Sequence, residues 1–288
     1  MTAGYPERVA AGYPKCIAAG LAKHMAAGRR NRMDYKHKIR ARVSSQTEPA
    51  PGIYDLRIEA PMAAGTAAAG QFVMLYPQSE AHLLARPISI CGADPDTGIL
   101  RLVYRVVGQG TAAFSALTAG DEVELVGPLG NGFPIAEKKA LLVGGGIGIP
   151  PMLELAKRLP GEKIFVAGYA NAHLFLYEDM CALAPVYVST DDGSAGTHGT
   201  VLDAIRENGL TAEVLYACGP VPMLRAVKEY AAAHALRCYL SMEERMACGI
   251  GACYACVCRS TEVDSHTNVH LKRICKDGPV FDAREIEL

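Results

Sequence analysis

Cys248, Cys253 and Cys256 stand in the run Met246-Ala-Cys-Gly-Ile-Gly-Ala-Cys-Tyr-Ala-Cys-Val-Cys258, and Cys275 follows Cys256 after 18 intervening residues. C-x4-C-x2-C…C is the plant-type spacing by which four thiolates hold a [2Fe–2S] cluster. Such a cluster passes one electron at a time and forms no bond to a substrate, so the run points to electron transfer. Zinc is the competing reading, but four-cysteine zinc sites usually come as two Cys-x2-Cys pairs, and only one such pair is present. Gly249, Gly251 and Ala252 leave backbone N–H groups free to point at bridging sulfides. Cys258 is a spare thiol, while Cys16, Cys91, Cys181 and Cys238 read as small apolar residues.

Other stretches suit nucleotides. Val143-Gly-Gly-Gly-Ile-Gly-Ile-Pro-Pro151 lies between a strand pattern and a helix pattern. Gly144, Gly145, Gly146 and Gly148 would let a pyrophosphate approach the backbone at a helix N-terminus. The loop is not the G-x-G-x-x-G fingerprint, and a ligand-free tight turn is the alternative. Asp191 and Asp192 follow a later strand and could accept from ribose hydroxyls while repelling a 2′-phosphate, which favours NAD over NADP. A solvated acidic turn competes with that reading. Cys218, Gly219 and Pro220 follow another strand, where small residues admit a flat ring. Upstream, Leu84-Ala-Arg-Pro-Ile-Ser-Ile90 places one arginine in an apolar strand, and a guanidinium there needs an anionic partner. An edge strand with a surface salt bridge is the alternative. Val103-Tyr-Arg-Val-Val-Gly-Gln-Gly-Thr111 sets Tyr104 and Arg105 beside a glycine-rich helix start, again suited to phosphate.

The elements that must position these residues fall into blocks. The 288 residues are half hydrophobic and carry a net charge of −1. That length suits two or three domains, and the charge points to neither nucleic acid nor a membrane surface. Apolar stretches are too short and too often broken by Gly or Pro for a transmembrane helix. A dense cysteine run in a long chain reads as a reduced cytoplasmic protein rather than a disulfide scaffold.

Residues 1–33 contain four near-copies of an eight-residue unit beginning at Thr2, Ala10, Ala18 and Ala26. An eight-residue period fits neither helix nor strand, so this stretch reads as a disordered extension, with Met33 an alternative start and a targeting peptide the competing reading. Residues 34–137 read as short strands separated by Gly and Pro turns, hence an antiparallel barrel, with one helix starting near Thr111. Residues 138–240 alternate strands with helices at Pro151–Leu159, His173–Leu183, Thr200–Asn208 and Pro222–Ala235, hence a parallel doubly wound sheet. Residues 241–288 form a small cysteine-bearing domain with little hydrophobic periodicity, for which the metal must supply much of the order.

These pieces in this order resemble the ferredoxin–NADP reductase superfamily: a flavin barrel with Arg-Pro-x-Ser, then a nicotinamide domain with a Gly-rich loop and a Cys-Gly-Pro turn. Glu244 to Cys256 and Ile274-Cys-Lys-Asp-Gly-Pro-Val-Phe281 further resemble the electron-transfer subunits of NAD-linked (class 1B) dihydroorotate dehydrogenases. The resemblance covers about Tyr35 to Leu288. It implies FAD, one [2Fe–2S] cluster, NAD+ as co-substrate and an FMN-containing dihydroorotate dehydrogenase catalytic partner, in a heterotetramer of two copies of each. Arg86, Pro87, Ile88, Ser89, Val103, Tyr104, Arg105, Gly110 and Thr111 would then contact FAD, and Cys248, Cys253, Cys256 and Cys275 would hold the cluster. Electrons would run from the partner's FMN through cluster and FAD to NAD+, in pyrimidine biosynthesis. An NAD(P)H–ferredoxin oxidoreductase or hydrogenase electron-transfer subunit is the alternative on the same chassis. Two departures stand out: the repeat-rich extension, and a long interval from Cys256 to Cys275, where Ser260 to His270 read as a protruding hairpin.

Overall fold

Six strands close an antiparallel barrel in the computed structural model, which describes residues 38–77, 83–263 and 268–288. The eight-residue repeats lie outside the described residues. The strands are β1 (Ile39–Ala50), β2 (Ile53–Glu59), β3 (Phe72–Tyr76), β4 (Arg86–Asp94), β5 (Ile99–Arg105) and β6 (Glu122–Leu129), in spatial order β1-β2-β5-β4-β3-β6. Alternation sets what fills the barrel, since successive strand residues face opposite sides. On β5, Leu100, Leu102 and Tyr104 point inward and join Leu56, Ile58, Val73, Leu75 and Ile90 in the core. Arg101, Val103 and Arg105 therefore face outward. A short helix α1 (Pro61–Ala64) follows β2, and α2 (Gln109–Ser115) closes one end of the barrel by burying Phe114 against Tyr104.

The next block is a seven-stranded sheet. Its strands are β7 (Ala140–Gly145), β8 (Lys163–Tyr169), β9 (Val186–Thr190), β10 (Thr197–His198), β11 (Val214–Cys218), β12 (Arg237–Ser241) and, from the C-terminal block, β15 (Val280–Asp282). The order is β10-β9-β8-β7-β11-β12-β15. All pairings are parallel except the last, where β15 runs antiparallel to β12. Alternation again sorts the faces. Leu141, Val143, Val166, Leu215 and Leu240 meet α5 (Val201–Glu207) and α6 (Val221–Ala233) on one side. Leu142, Phe165, Ala167 and Tyr216 meet α3 (Ile149–Arg158) on the other.

The structure departs from the sequence reading in three places. The expected helix at His173–Leu183 forms only as α4 (Tyr177–Cys181), because Leu176 adopts φ 64° and breaks the helical path. The helix expected at Thr200–Asn208, by contrast, forms as α5: the Thr200 hydroxyl accepts from the Asp203 N–H while Asp203 accepts from the Thr200 N–H, so that helix begins where the capping residue dictates. The C-terminal block does not stand alone. Cys256, Ile274, Cys275, Phe281 and Ile286 join one hydrophobic core with Phe72 and Met74 of the barrel and Leu240 of the sheet, so apolar burial as well as metal orders this segment. Finally, Cys181 is exposed rather than buried as a small apolar residue; the truncated α4 leaves it at a helix end.

β13 (Val257–Arg259) and β14 (Leu271–Arg273) pair antiparallel and lead into α7 (Ile274–Asp277). The tip of the expected hairpin, 264–267, lies outside the described residues.

Barrel and sheet are bolted together by buried charge. Glu154 on α3 is only 1% exposed; it accepts from the Ala93 N–H of β4 at 3.2 Å and from Arg158 at 2.8 Å. Arg101 of β5 bonds Asp55 of β2 at 2.6 Å and Asp179 of α4 at 2.7 Å. Its guanidinium holds the Asp179 carboxyl below the usual range, against the opposing effect of burial.

Candidate redox site

A cavity of about 660 Å3 opens between the barrel and the sheet, a size suited to a cofactor. Of the residues expected at FAD, Arg86, Pro87, Ile88, Ser89, Val103, Tyr104, Arg105 and Thr111 line it. Their side chains do not all reach it. Val103 and Arg105 point outward from β5 toward the cavity, but Tyr104 points into the barrel. Its ring stacks on Tyr54 at 5.7 Å and its hydroxyl donates to Gln46 at 3.0 Å, so only backbone is left to face a ligand. Ile88 likewise belongs to the barrel core. The Thr111 hydroxyl closes the turn before α2, accepting from the Val107 N–H at 2.9 Å and donating to the Gly108 carbonyl at 3.0 Å. Gly110 lies beside Arg86. A Cβ there would fall 2.5 Å from Arg86 Nε, so glycine lets the guanidinium lie against the start of α2. Arg86 itself donates to the Leu84 carbonyl at 2.6 Å.

The sequence reading did not single out Met242, Glu243, Arg245 or Met246 as cavity residues, yet all four form its wall together with Glu244. They follow β12, which was not recognised as a strand. Once it is, its C-terminal end becomes a place where sheets of this kind bind ligands. The Glu243 carboxyl is pushed up by the surrounding protein, with Arg105 opposing.

The glycine loop and the Cys-Gly-Pro turn are brought together. Gly144 pairs with Cys218 across β7 and β11. Beyond them, a 3₁₀ turn at Gly146–Gly148 leads into α3, which carries proline in its first turn. A Cβ on Gly148 would lie 2.1 Å from the Cys218 carbonyl oxygen, and one on Gly145 would lie 2.5 Å from Met223 Sδ. Backbone packing alone therefore demands glycine at position 148, while at Gly145 the Met223 side chain would have to move aside. Cys218 is fully buried and burial pushes its thiol up, so Cys218, Gly219 and Pro220 offer a ligand mainly backbone. Asp191 and Asp192 stand at the end of β9, two strands from β7. Asp192 accepts from the Ser194 N–H at 2.9 Å and hydroxyl at 2.5 Å, which holds its carboxyl below the usual range. It is occupied as a turn residue; Asp191 is exposed.

The four cysteines gather in two pairs. The thiols carry no disulfide; Cys253 acts on Cys248 as its near neighbour, and Cys256 on Cys275. Backbone N–H groups converge on the sulfurs: Ala252 donates to Cys248 at 3.3 Å, Gly251 to Cys275 at 3.1 Å, and Cys275 to Cys256 at 3.4 Å. Burial pushes the Cys248 thiol up, but the N–H groups of Ile250, Ala252 and Cys253 and the Cys253 thiol outweigh it and draw it down to about 6. Burial and then the neighbouring Cys256 push Cys275 up to about 12.

Among the described residues, no three Cys, His, Asp or Glu side chains converge as one mononuclear ion requires. Two pairs are the donor set of a binuclear cluster with two cysteines on each iron. The loop from Cys248 to Cys253, within one pair, turns on Gly249 (φ +68°) and Gly251 (φ +84°), a region that favours glycine. A Cβ on Gly249 would fall 2.4 Å from Met74 Cγ, so the loop lies directly on β3 of the barrel. These residues fit the cluster. Cys258 belongs to neither pair, and burial pushes its thiol up to about 11. Met246 on the cavity wall is two residues from Cys248, so cavity and thiols share one short piece of chain.

Comparison with known proteins places names beside this geometry. Residues 40–133 match the model of the oxidoreductase FAD-binding domain. Residues 243–287 match that of the iron-sulfur cluster binding domain of dihydroorotate dehydrogenase B. The dihydroorotate dehydrogenase B (NAD(+)) electron transfer subunit of Listeria monocytogenes serotype 4a (strain HCC23) is 46% identical over 255 residues, 86% of this chain and 98% of that one. Its counterpart in Geobacillus kaustophilus (strain HTA426) is 44% identical over 258 residues, with the same coverage. A solved NADH-dependent reduced ferredoxin-NADP oxidoreductase superposes with a TM-score of 0.77 at 28% identity, over 86% of this chain and 89% of that one. The ferredoxin reductase of carbazole 1,9a-dioxygenase shares the fold, with a TM-score of 0.57 at 17% identity, over 69% and 66% of the two chains.

Proposed function

We propose a specific role for this chain, which belongs to the family of dihydroorotate dehydrogenase B (NAD(+)) electron transfer subunits. It carries electrons from dihydroorotate oxidation to NAD+ in pyrimidine biosynthesis, with FAD and an iron–sulfur cluster as cofactors. The observation that carries the assignment is the short segment Met242–Cys248, which ends as a thiol ligand and begins as a wall of the cavity.

When bound, the cluster supplies one-electron acceptance and FAD supplies hydride exchange with nicotinamide; no general acid or base is needed from the protein. The chain's own residues bind and orient. Arg86 and Arg105 take the phosphates of FAD, as planar guanidinium groups do. Ser89 offers a hydroxyl to the flavin ring, and Pro87 and Val103 give it apolar surface, while Ile88, Tyr104, Gly110 and Thr111 shape the site through backbone and packing. The glycine loop Gly144–Gly148 receives the NAD pyrophosphate, Asp191 takes a ribose hydroxyl, and Asp192 holds the turn that presents it. Backbone at Cys218, Gly219 and Pro220 meets the nicotinamide. Cys248, Cys253, Cys256 and Cys275 hold the cluster, and the three blocks divide at residues 34–137, 138–240 and 241–288.

The partner is a catalytic subunit carrying FMN, in a heterotetramer of two copies of each chain, and the complex works in the cytoplasm. Ile250 and Tyr254, within the Cys248–Cys256 run, leave apolar side chains 50% and 48% exposed, as a docking face would. Among the described residues, no helix is long and apolar enough to cross a membrane.

The test is coexpression with a candidate FMN subunit. Copurification and NAD+ reduction that depends on dihydroorotate are expected. NAD+ reduction driven by reduced ferredoxin, with none driven by dihydroorotate, would move the chain to the ferredoxin oxidoreductase reading.

A further inference from the structure

Arg273 is the last residue of β14, two residues before Cys275. Its Nη1 donates to the Gly251 carbonyl at 3.2 Å. That carbonyl belongs to the peptide unit whose other end is the Ala252 N–H, the donor to Cys248 Sγ at 3.3 Å. The amide one step back, Gly251 N–H, donates to Cys275 Sγ at 3.1 Å. A cation on a carbonyl polarises the whole peptide and strengthens the hydrogen bond its N–H makes.

The guanidinium is held in place. Asp277 accepts from Nε at 3.1 Å and Nη2 at 3.3 Å, and takes the Arg273 N–H at 2.8 Å. The Tyr254 ring lies 5.2 Å away, and the side chain is 21% exposed. One arginine thus links an element of the hairpin to the peptide whose N–H donates to Cys248.

From this geometry we infer that Arg273 is a positioning residue for the cluster: through the Gly251–Ala252 peptide it strengthens the N–H bond to Cys248 and holds the cluster's reduction potential up. The inference rests on the [2Fe–2S] reading. The physical ground is charge. Accepting an electron adds one negative charge to the cluster, and hydrogen bonds to the sulfurs stabilise that reduced form. The nearby Asp277 cancels much of the guanidinium's long-range field, so the effect runs through the peptide rather than through net charge.

The experiment is a mediator-poised redox titration followed by electron paramagnetic resonance, on the purified complex and its Arg273→Met, Arg273→Lys and Arg273→Met/Asp277→Asn variants. Iron and sulfide are assayed in each. Arg273→Met is expected to shift the equilibrium about tenfold toward the oxidised cluster, about 59 mV for one electron. Arg273→Lys, which keeps the charge but loses the planar fork, is expected to fall between. The double variant restores the local charge and is expected to stay shifted.

An unchanged midpoint in Arg273→Met with full iron and sulfide overturns the inference. So does a double variant that returns to the wild-type midpoint, since local charge alone would then explain the shift. If Arg273→Met cannot hold a cluster, Arg273→Lys decides, and an unshifted lysine variant overturns the proposal. Wild-type protein lacking iron and sulfide would instead sink the cluster reading itself, and is recognised before any variant is titrated.

Discussion

Cys275 is the proposed ligand that reaches the site from farthest along the chain, and it is buried where Cys253 is exposed. Replacing it with serine removes one of two thiols on one iron and leaves the cavity walls untouched. Cys275→Ser is expected to lose the visible bands of the cluster while keeping FAD and NADH oxidation by an artificial dye within about threefold. Dihydroorotate-dependent NAD+ reduction should fall at least about 100-fold, or about 2.7 kcal/mol in the barrier; steady-state assays with each acceptor separate the two. The four cysteines were legible because their spacing is itself the chemistry. The inward direction of the Tyr104 side chain was not, because Leu100 to Val107, which carries Arg101 and Arg105, reads as a strand without saying which face meets the core. The closed barrel resolves it into an inward Leu100, Leu102 and Tyr104 and an outward Arg101, Val103 and Arg105. Glu243 was missed for another reason: nothing in its neighbours marks a cavity until β12 is seen to end just before it.

At the scale of elements, the strand–glycine–helix unit of β7 and α3 is held against β11 by contact distances that only glycine permits. Gly148→Ala would drive a methyl into the Cys218 carbonyl, 2.1 Å from the ideal Cβ position. Overpacking of that kind costs about 1–3 kcal/mol, and the loop must move away from Cys218–Gly219. The expected result is an NADH KM raised about tenfold or more, with FAD and cluster content unchanged; kinetics together with visible spectra read both. An unchanged KM would mean that NAD does not use this loop. Element types were mostly legible from periodicity, as at α5, where Thr200 and Asp203 form the capping pair. Failures came where local conformation or distant pairing decided. Leu176 in the left-handed region shortened α4. The short strand β15 makes sense only as a partner of β12, since Phe281 pairs with Leu240 across 41 residues of sequence, and β12 is itself held on its other side by β11.

On the scale of the whole molecule, three blocks share one core. Phe72 and Met74 of the barrel, Leu240 of the sheet and Cys256 and Cys275 of the C-terminal segment lie in a single apolar cluster. Glu154 and the Arg101–Asp55–Asp179 group fix barrel against sheet. The order of the blocks could be read from composition, but their fusion could not, because it depends on β15 returning to the sheet. That return sets the thiols against the barrel and two residues beyond the cavity wall, the arrangement an electron route needs. The most direct measurement is rapid freeze-quench electron paramagnetic resonance of the assembled complex, mixed anaerobically with dihydroorotate and then with NAD+. The signal of a reduced [2Fe–2S] cluster should rise before NAD+ is added and decay as NADH forms. NADH formation at the full rate with the cluster present but oxidised throughout would contradict the account.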